Sequence, residues 1–130
     1  MAKMLGVWMQ IMNPNRSAQD DLNLTVGGTI GLTRAEVEKL APGQLFNVRI
    51  RVMDEDSFSD DLVYTDNTFS IAVRDTNPQS FVTGVIVPRR ALRASEPSYE
   101  HEAEIYSRVS AGSGNISTNW RNSQTENVKI

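Results

Sequence analysis

Residues 45–53 read LFNVRIRVM, an alternation of apolar and polar side chains with a period of two. Successive side chains of a β-strand point to opposite faces, so this period predicts a strand with one buried face and one solvated face. The predicted inward residues are Phe46, Val48, Ile50 and Val52, and the predicted outward residues are Asn47, Arg49 and Arg51.

The same period continues through most of the chain. Further strands are predicted in residues 5–11, with Leu5, Val7, Met9 and Ile11 on one face, in residues 67–75, with Phe69, Ile71 and Val73 inward, and in residues 99–109. Residues 81–87 (FVTGVIV) are apolar on both faces, which predicts a central strand that is covered on both sides. Weaker patterns predict strands in residues 22–32, 62–65, 115–120 and 126–130.

Residues 33–43 (TRAEVEKLAPG) have a helical pattern. Thr33 is the predicted N-cap and Glu36 completes a capping box, while Pro42-Gly43 ends the helix. Turn-forming residues, such as VGG at 26–28, separate the short strands, as is typical of a sandwich or barrel. We therefore predict one domain, residues 1–130, with an all-β fold: a single antiparallel β-sandwich of about eight strands with one short helix.

The composition excludes several classes of site. The 130-residue chain has no cysteine, which excludes disulfides, zinc-thiolate sites and cysteine nucleophiles. Its net charge of −3 argues against nonspecific binding to nucleic acid, which requires a dense positive surface. The apolar run near the N-terminus is too short and too interrupted for a membrane-spanning helix. We expect a soluble protein that is cytoplasmic, or exported without a recognisable signal peptide.

Catalytic motifs are not evident in the sequence. His101 is the single histidine, and no nucleophile and carboxylate accompany it in a recognisable pattern, so we interpret it as a core or edge residue. The glycine-rich residues 26–31 (VGGTIG) lack the lysine and the following helix of a phosphate-binding loop. We therefore expect a non-enzymatic protein.

Residues 53–62 (MDEDSFSDDL) place five acids in eight positions directly after the strand predicted at 45–53. Calcium takes about six to eight oxygen ligands, and carboxylates two residues apart in an extended turn converge on one ion. An EF-hand does not fit, because Ser59 and Thr65 stand where that loop needs glycine and glutamate. The alternative is a solvated turn, where aspartates are common. The predicted metal ligands are Asp54, Asp56, Asp60 and Asp61.

This acidic stretch resembles the calcium-binding loop of C2 domains. Within residues 50–63 (IRVMDEDSFSDDLV), the positions that match the family are the paired aspartates Asp54 and Asp56, the aromatic–serine step Phe58-Ser59 and the later aspartate Asp61. The chain departs from the family in a shorter loop and in Tyr64 at the usual glycine, and only Asp20 and Asp21 are candidates for a second aspartate loop. The resemblance implies a bound calcium ion and contact with a membrane surface.

A tryptophan near the C-terminus lies among polar residues. Trp120 ends GNISTNW (residues 114–120), and Asn119 and Arg121 flank it. A polar surface with an aromatic ring predicts a ligand site, and carbohydrate is a candidate ligand because aromatic rings stack on sugar rings. The alternative is a tryptophan of the core.

Two charged clusters have more than one interpretation. The arginines of residues 87–95 (VPRRALRAS) have the chemistry to bind phosphate or carboxylate, or they belong to a solvated turn after Pro88: Arg89, Arg90 and Arg93. The glutamates of the predicted strand 99–109 share one face, which we interpret as a solvated face opposite Arg49 and Arg51: Glu100, Glu102 and Glu104.

The leading functional hypothesis is a non-enzymatic β-sandwich binding module with a calcium site in residues 54–61. One alternative is a carbohydrate-binding, lectin-like module. Another is a structural or assembly protein that forms a homo-oligomer, since residues 81–87 need cover on both faces and residues 126–130 predict a strand with an edge to protect.

Overall fold

A computed structural model describes residues 1–56, 59–95 and 102–130, and these residues form nine β-strands and two short helices. The strands are β1 (Lys3–Ile11), β2 (Leu22–Gly31), β3 (Leu45–Asp54), β4 (Asp61–Ala72), β5 (Gln79–Val87), β6 (Glu102–Ser113), β7 (Ile116–Ser117), β8 (Arg121–Asn122) and β9 (Glu126–Lys129). Sheet A has the order β1-β2-β5, and sheet B has the order β4-β3-β6-β7, with β8 and β9 also paired to β6. All pairs are antiparallel, which confirms the predicted all-β, sandwich-like fold.

The hydrophobic core combines residues of both sheets. The inward residues of β3 are at most 1% exposed, as the alternation predicted: Phe46, Val48, Ile50 and Val52. They share one buried cluster with Leu24 and Val26 of β2 and Val85 of β5. Removal of this apolar surface from water is the main force that stabilises the sandwich. Because side chains alternate, Arg49 and Arg51 lie on the outer face of sheet B.

The prediction of a central strand at residues 81–87 is wrong. β5 is an edge of sheet A, and β2 is its centre. Phe81 and Val85 are buried, but Val82 and Ile86 are 58% and 60% exposed on the outer face. A run of apolar residues shows that the side chains on both faces are hydrophobic. It does not show which strands lie beside it, because strand order depends on the tertiary fold.

A β-bulge in β1 changes which side chains face the core. The register shifts between Met4 and Gly6, so Met4 and Met9 are buried while Leu5 is 43% exposed. The prediction that Leu5 shares a face with the later apolar residues of β1 is therefore wrong, because the extra residue of a bulge offsets the alternation. Trp8 is also on the outer face, at 41% exposure.

Several strand bounds differ from the prediction. Residues 62–65 and 67–75 were predicted as two strands, but one strand, β4, spans 61–72 with two irregularities in its pairing to β3. Residues 26–28 were predicted as a turn but lie inside β2. In residues 115–120 only the two-residue β7 is a strand.

Both helices are short. α1 (Arg34–Glu38) has the predicted capping box between Thr33 and Glu36. α2 (Arg89–Ala94) occupies the position of the predicted turn, and Leu92, at 1% exposure, anchors it to the core. Six residues are too few for a helical period to be recognised in the sequence, and packing rather than propensity stabilises such a helix. No helix of the described residues is long and apolar enough to cross a membrane.

Candidate functional site

Three arginines surround one tryptophan on the outer face of sheet B. The Cζ atoms of Arg51, Arg49 and Arg108 lie 4.4, 5.3 and 5.7 Å from the centroid of the Trp120 ring. These distances are within the range of about 6 Å over which a cation is attracted to an aromatic face. We call these four residues the arginine–tryptophan cluster. The predicted ligand residue Trp120 is its centre, but no pattern in the sequence linked this tryptophan to the arginines.

The strand register brings the positive charges together. Arg51 of β3 and Arg108 of β6 are directly opposite each other, and Arg49 is opposite Ser110. Side chains in such pairs lie on the same face, and like charges there repel. Across residues 1–56, 59–95 and 102–130, no carboxylate forms an ion pair with any of the three arginines.

The prediction that glutamates of residues 99–109 face Arg49 and Arg51 is therefore wrong. Glu102 and Glu104 pair with Lys129 and Asn127 of β9 on the other side of β6. On the side that faces β3, both glutamates lie beyond the end of β3 at Asp54. There the Glu55 N–H donates to the Glu104 carbonyl oxygen at 2.7 Å. Glu100, the third glutamate of this prediction, is outside the described residues, and so is His101, which was interpreted as a core or edge residue.

Hydrogen bonds fix the segment that carries Trp120. The Thr118 hydroxyl accepts from the Ala111 N–H and donates to the Asn119 carbonyl oxygen, both at 2.9 Å. Asn119 Oδ1 accepts from the Met4 N–H at 3.0 Å. The predicted ligand residue Asn119 thus ties this segment to β1, and the ties hold the Trp120 ring over sheet B.

Arg121, the third predicted ligand residue, is exposed on β8. It is opposite Val109, whose side chain is buried, whereas Asn122 is opposite Arg108. Since opposite residues share a face, Asn122 rather than Arg121 lies on the face of the arginine–tryptophan cluster.

Two buried polar atoms, Nε of Arg49 in the cluster and Oγ of Ser110 opposite it, have no hydrogen-bond partner. A buried donor or acceptor without a partner costs about 1–3 kcal/mol. The Arg49 guanidinium has room to extend because the next outward residue of β6 is Gly112, where a Cβ would stand 3.5 Å from the guanidinium nitrogen. The cluster therefore has more hydrogen-bonding capacity than the described chain uses.

The predicted metal ligands lie at the adjoining ends of β3 and β4. Asp54 is 2% exposed and opposite Asp61, and its Oδ1 has no hydrogen-bond partner. Asp60 Oδ1 accepts from the Asp56 N–H at 3.3 Å, so these two residues are close together. The strand register thus pairs Asp54 with Asp61, and this hydrogen bond pairs Asp56 with Asp60.

In the described ranges, which leave out residues 57–58 and 96–101, no group of three or more His, Cys, Asp or Glu side chains is placed to hold a metal ion. Phe58, which belongs to the C2-like match, is outside the described residues. The calcium site and the C2 resemblance stay predictions.

Tyr106 connects the acidic residues to the arginine–tryptophan cluster. Its hydroxyl donates to Asp60 Oδ2 at 2.5 Å, and it is next but one to Arg108 on the same face of β6. The pKa of Tyr106 is raised to about 12, mainly by burial and also by the hydrogen bond to Asp60 and the negative charge of Asp60. The positive charge of Arg108 acts in the opposite direction. The proton is therefore held firmly on this hydroxyl.

A second group of arginines lines an open pocket of about 570 Å³ beside α2: Arg16, Arg89, Arg90 and Arg93. Arg16 is 9% exposed and donates to the backbone carbonyl oxygens of Ser17, Asp20 and Lys129. Burial lowers the pKa of Arg16, and the charges of Asp20 and Asp21 oppose that effect. Arg89 donates to Gln19 Oε1 at 2.6 Å. Donors of Arg16 and Arg89 are thus engaged by the chain itself.

In the arginine–tryptophan cluster, all three guanidinium groups keep unused donors. No hydrogen bond from the guanidinium groups of Arg49, Arg51 or Arg108 is found within the described part of the chain, and their positive charges have no paired acid. No protein-family model matches the chain, and no curated protein is significantly similar to it in sequence.

Proposed function

We propose that the protein is a non-enzymatic β-sandwich binding module that holds an anionic ligand at the arginine–tryptophan cluster. The observation that carries the proposal is the placement of three guanidinium groups around Trp120 with no acid of the described chain paired to them. Positive charges this close repel each other, and an anion among them replaces repulsion with attraction.

The chemistry of the cluster favours an oxyanion. A guanidinium whose flat face stacks on an aromatic ring keeps its N–H edges available, and those edges match the paired oxygens of carboxylate, sulfate or phosphate. Thr65 and Asn122 are opposite Arg51 and Arg108 on the neighbouring strands and add neutral donors and acceptors. The expected ligand therefore carries at least one group with two or more anionic oxygens.

Thermal unfolding in sodium sulfate and in sodium phosphate, each at an ionic strength matched with sodium chloride, tests this function. An anion that binds the native state raises its free energy of unfolding by about 1.4 kcal/mol at about tenfold excess over Kd. Arg51→Gln and Trp120→Ala should each weaken binding by about tenfold, which corresponds to about 1.4 kcal/mol.

Arg74→Gln is the matched control, because it removes the same charge from an exposed position outside the cluster. It should leave the sulfate effect unchanged. Equal melting temperatures in sulfate, phosphate and chloride at one ionic strength would contradict the proposal, as would equal losses in the cluster variants and the control.

Neutral carbohydrate is the alternative ligand of the same surface. A sugar stacks on the ring of Trp120, but Arg51 already lies over that ring at 4.4 Å and must be displaced first. Tryptophan fluorescence during titration with neutral monosaccharides separates the two ligands. A response to sugars without a response to sulfate favours the lectin-like module.

A second candidate function is calcium binding by the acidic residues. The specific observation is Asp54, a carboxylate at 2% exposure whose Oδ1 has no hydrogen-bond partner. A bound cation compensates a buried carboxylate, and Asp61 is opposite it to share the ion.

Thermal unfolding with calcium at about 1–5 mM and with a chelator tests this second function. Calcium should raise the melting temperature of the wild type but not that of Asp54→Asn or Asp61→Asn. Glu38→Gln is the control, since it removes one negative charge from an exposed side chain of α1. Melts that coincide with and without calcium would rule the site out.

A further inference from the structure

The outer face of sheet A is an exposed surface almost without charge. The chain has 13 basic and 16 acidic residues, yet Lys3 is the single charged residue in β1, β2 and β5. Four large apolar side chains are between 41% and 60% exposed on this face: Leu5, Trp8, Val82 and Ile86. Polar but neutral residues such as Thr25 and Thr29 separate them. Sheet B, in contrast, carries charges on β3, β4 and β6.

The outer face of sheet A is raised at its centre and has a gap at one edge. Trp8 on β1 lies over Gly27, and the row continues across the sheet to Val82 on β5. In the next row, a Cβ at Gly84 of β5 would meet only the Leu24 carbonyl oxygen, at 3.9 Å, so no side chain covers that position. A bulky ring therefore covers the central strand β2, and a gap lies at Gly84 on the β5 edge.

We propose that this face binds the same face of a second copy of the chain in a symmetric dimer. A two-fold axis parallel to β2 places β1 of each copy over β5 of the other, and the two Trp8 rings, which lie over the central strand β2, meet near the axis. Every contact of such an interface occurs twice. Stacked sheets pack about 10 Å apart with their strands within about 30° of each other.

Charge favours a second copy over other partners. Two uncharged faces meet without like-charge repulsion, whereas an acidic or basic partner finds no opposite charge here. A membrane surface is a poorer match, because proteins that bind anionic lipids present Lys and Arg around the apolar patch and this face has only Lys3.

The area of the face is sufficient for a specific but weak dimer. Nine residues at about 3.3 Å each span about 30 Å, and three strands about 4.8 Å apart, with their side chains, span about 18 Å. Two copies therefore bury about 1,000 Å² in total, which is the lower end for a specific interface. We expect a dissociation constant in the range of about 1–100 µM.

Size-exclusion chromatography with light scattering at about 5, 50 and 500 µM tests the dimer. The mass should rise from 14.5 kDa towards twice that value. Val82→Lys places a charge in this uncharged interface, against β1 of the other copy, and should weaken the dimer at least about tenfold. Ile86→Lys is a second variant with the same expected result, and thermal melts verify that both variants are folded.

Leu62→Lys is the matched control, because Leu62 is 56% exposed on β4 of sheet B. It should dimerise like the wild type. A wild type that stays monomeric at every concentration overturns the proposal, and so do equal effects of Val82→Lys and Leu62→Lys or masses that grow beyond two copies.

Acrylamide quenching of Trp8 in a Trp120→Phe background gives an independent measurement, and quenching should fall as concentration rises. Sedimentation with phosphatidylcholine vesicles tests whether this face binds a membrane surface instead of a second copy. A monomer that sediments with vesicles through this face overturns the dimer in favour of a membrane site. Sulfate binding at the arginine–tryptophan cluster is on the other sheet, so the failure of either proposal is visible separately.

Discussion

Trp8 lies directly over Gly27 of the neighbouring strand, where a Cβ would stand 2.2 Å from Cε2 of the indole. On the inner face Phe81 covers Gly28 in the same way, with its Cζ 2.7 Å from the position of a Cβ. Glycine inside a strand weakens it, because it has no side chain to pack. Here two aromatic rings from the flanking strands supply the missing contacts at the centre of β2.

Gly27→Ala should destabilise the protein by about 1–3 kcal/mol, because the new methyl group forces the indole away from the sheet. Gly84→Ala is the control, since its Cβ has open space and a negative φ. The control should be neutral or more stable by about 0.5–1 kcal/mol, through the lower entropy of the unfolded chain. Urea unfolding measures both, and equal free energies of unfolding would contradict the close packing of Trp8.

Tyr106 should ionise at about pH 12, later than a free tyrosine at about pH 10. The folded chain holds this proton more tightly than the unfolded chain, so the contribution to stability is complete below about pH 10 and is lost as the pH rises towards 12. Ultraviolet absorbance of wild type minus Tyr106→Phe isolates the titration. Asp60→Asn should lower the pKa of Tyr106, and an ordinary pKa in the wild type would contradict the contact with Asp60.

Thr33→Ala should cost about 1 kcal/mol, because it removes the N-cap of α1. The Thr33 hydroxyl accepts from the Glu36 N–H at 3.3 Å, and the Glu36 carboxylate accepts from the Thr33 N–H at 2.9 Å. Chemical unfolding measures the loss. Thr125→Ala, at an exposed threonine outside the strands, is the control and should be neutral.

The same capping box predicts a dependence on acid pH. Burial acts to raise the pKa of Glu36, but the hydrogen bonds from Thr33 and the positive N-terminus hold the pKa below its usual value of 4.5. A lowered folded pKa gives stability that is present above about pH 4.5 and is lost as the pH falls through the folded pKa. Glu36→Gln should lose this part of the acid dependence, and a parallel pH profile in both proteins would contradict it.

Leu92→Ala should destabilise the protein by about 2–5 kcal/mol, because Leu92 is 1% exposed and attaches α2 to the core. Leu62→Ala makes the same chemical change at a side chain that is 56% exposed, and it should shift stability by about 0.5 kcal/mol or less. Thermal unfolding compares the two variants. Equal small losses would mean that α2 does not pack as described.

The arginine–tryptophan cluster was only partly predictable. The alternation of LFNVRIRVM placed Arg49 and Arg51 on the outer face of a strand, and Trp120 was predicted as a ligand residue from its polar neighbours. Their meeting depends on the pairing of β3 with β6 and on the hydrogen bonds of Thr118 and Asn119. Such pairings join residues that are far apart in the chain, so a local sequence period does not predict them.

The all-β class, the inward face of β3 and the capping box of α1 were predictable, because each follows from residues within one strand or one turn. The tertiary structure alone decided that β5 is an edge, that Arg51 is opposite Arg108 rather than a glutamate, and that α2 forms. The difference lies in how far apart along the chain the interacting residues are. Alternation and capping are interactions between near neighbours in the chain, whereas strand order, register and the burial of Leu92 are decided by contacts that exist only after the two sheets have packed together.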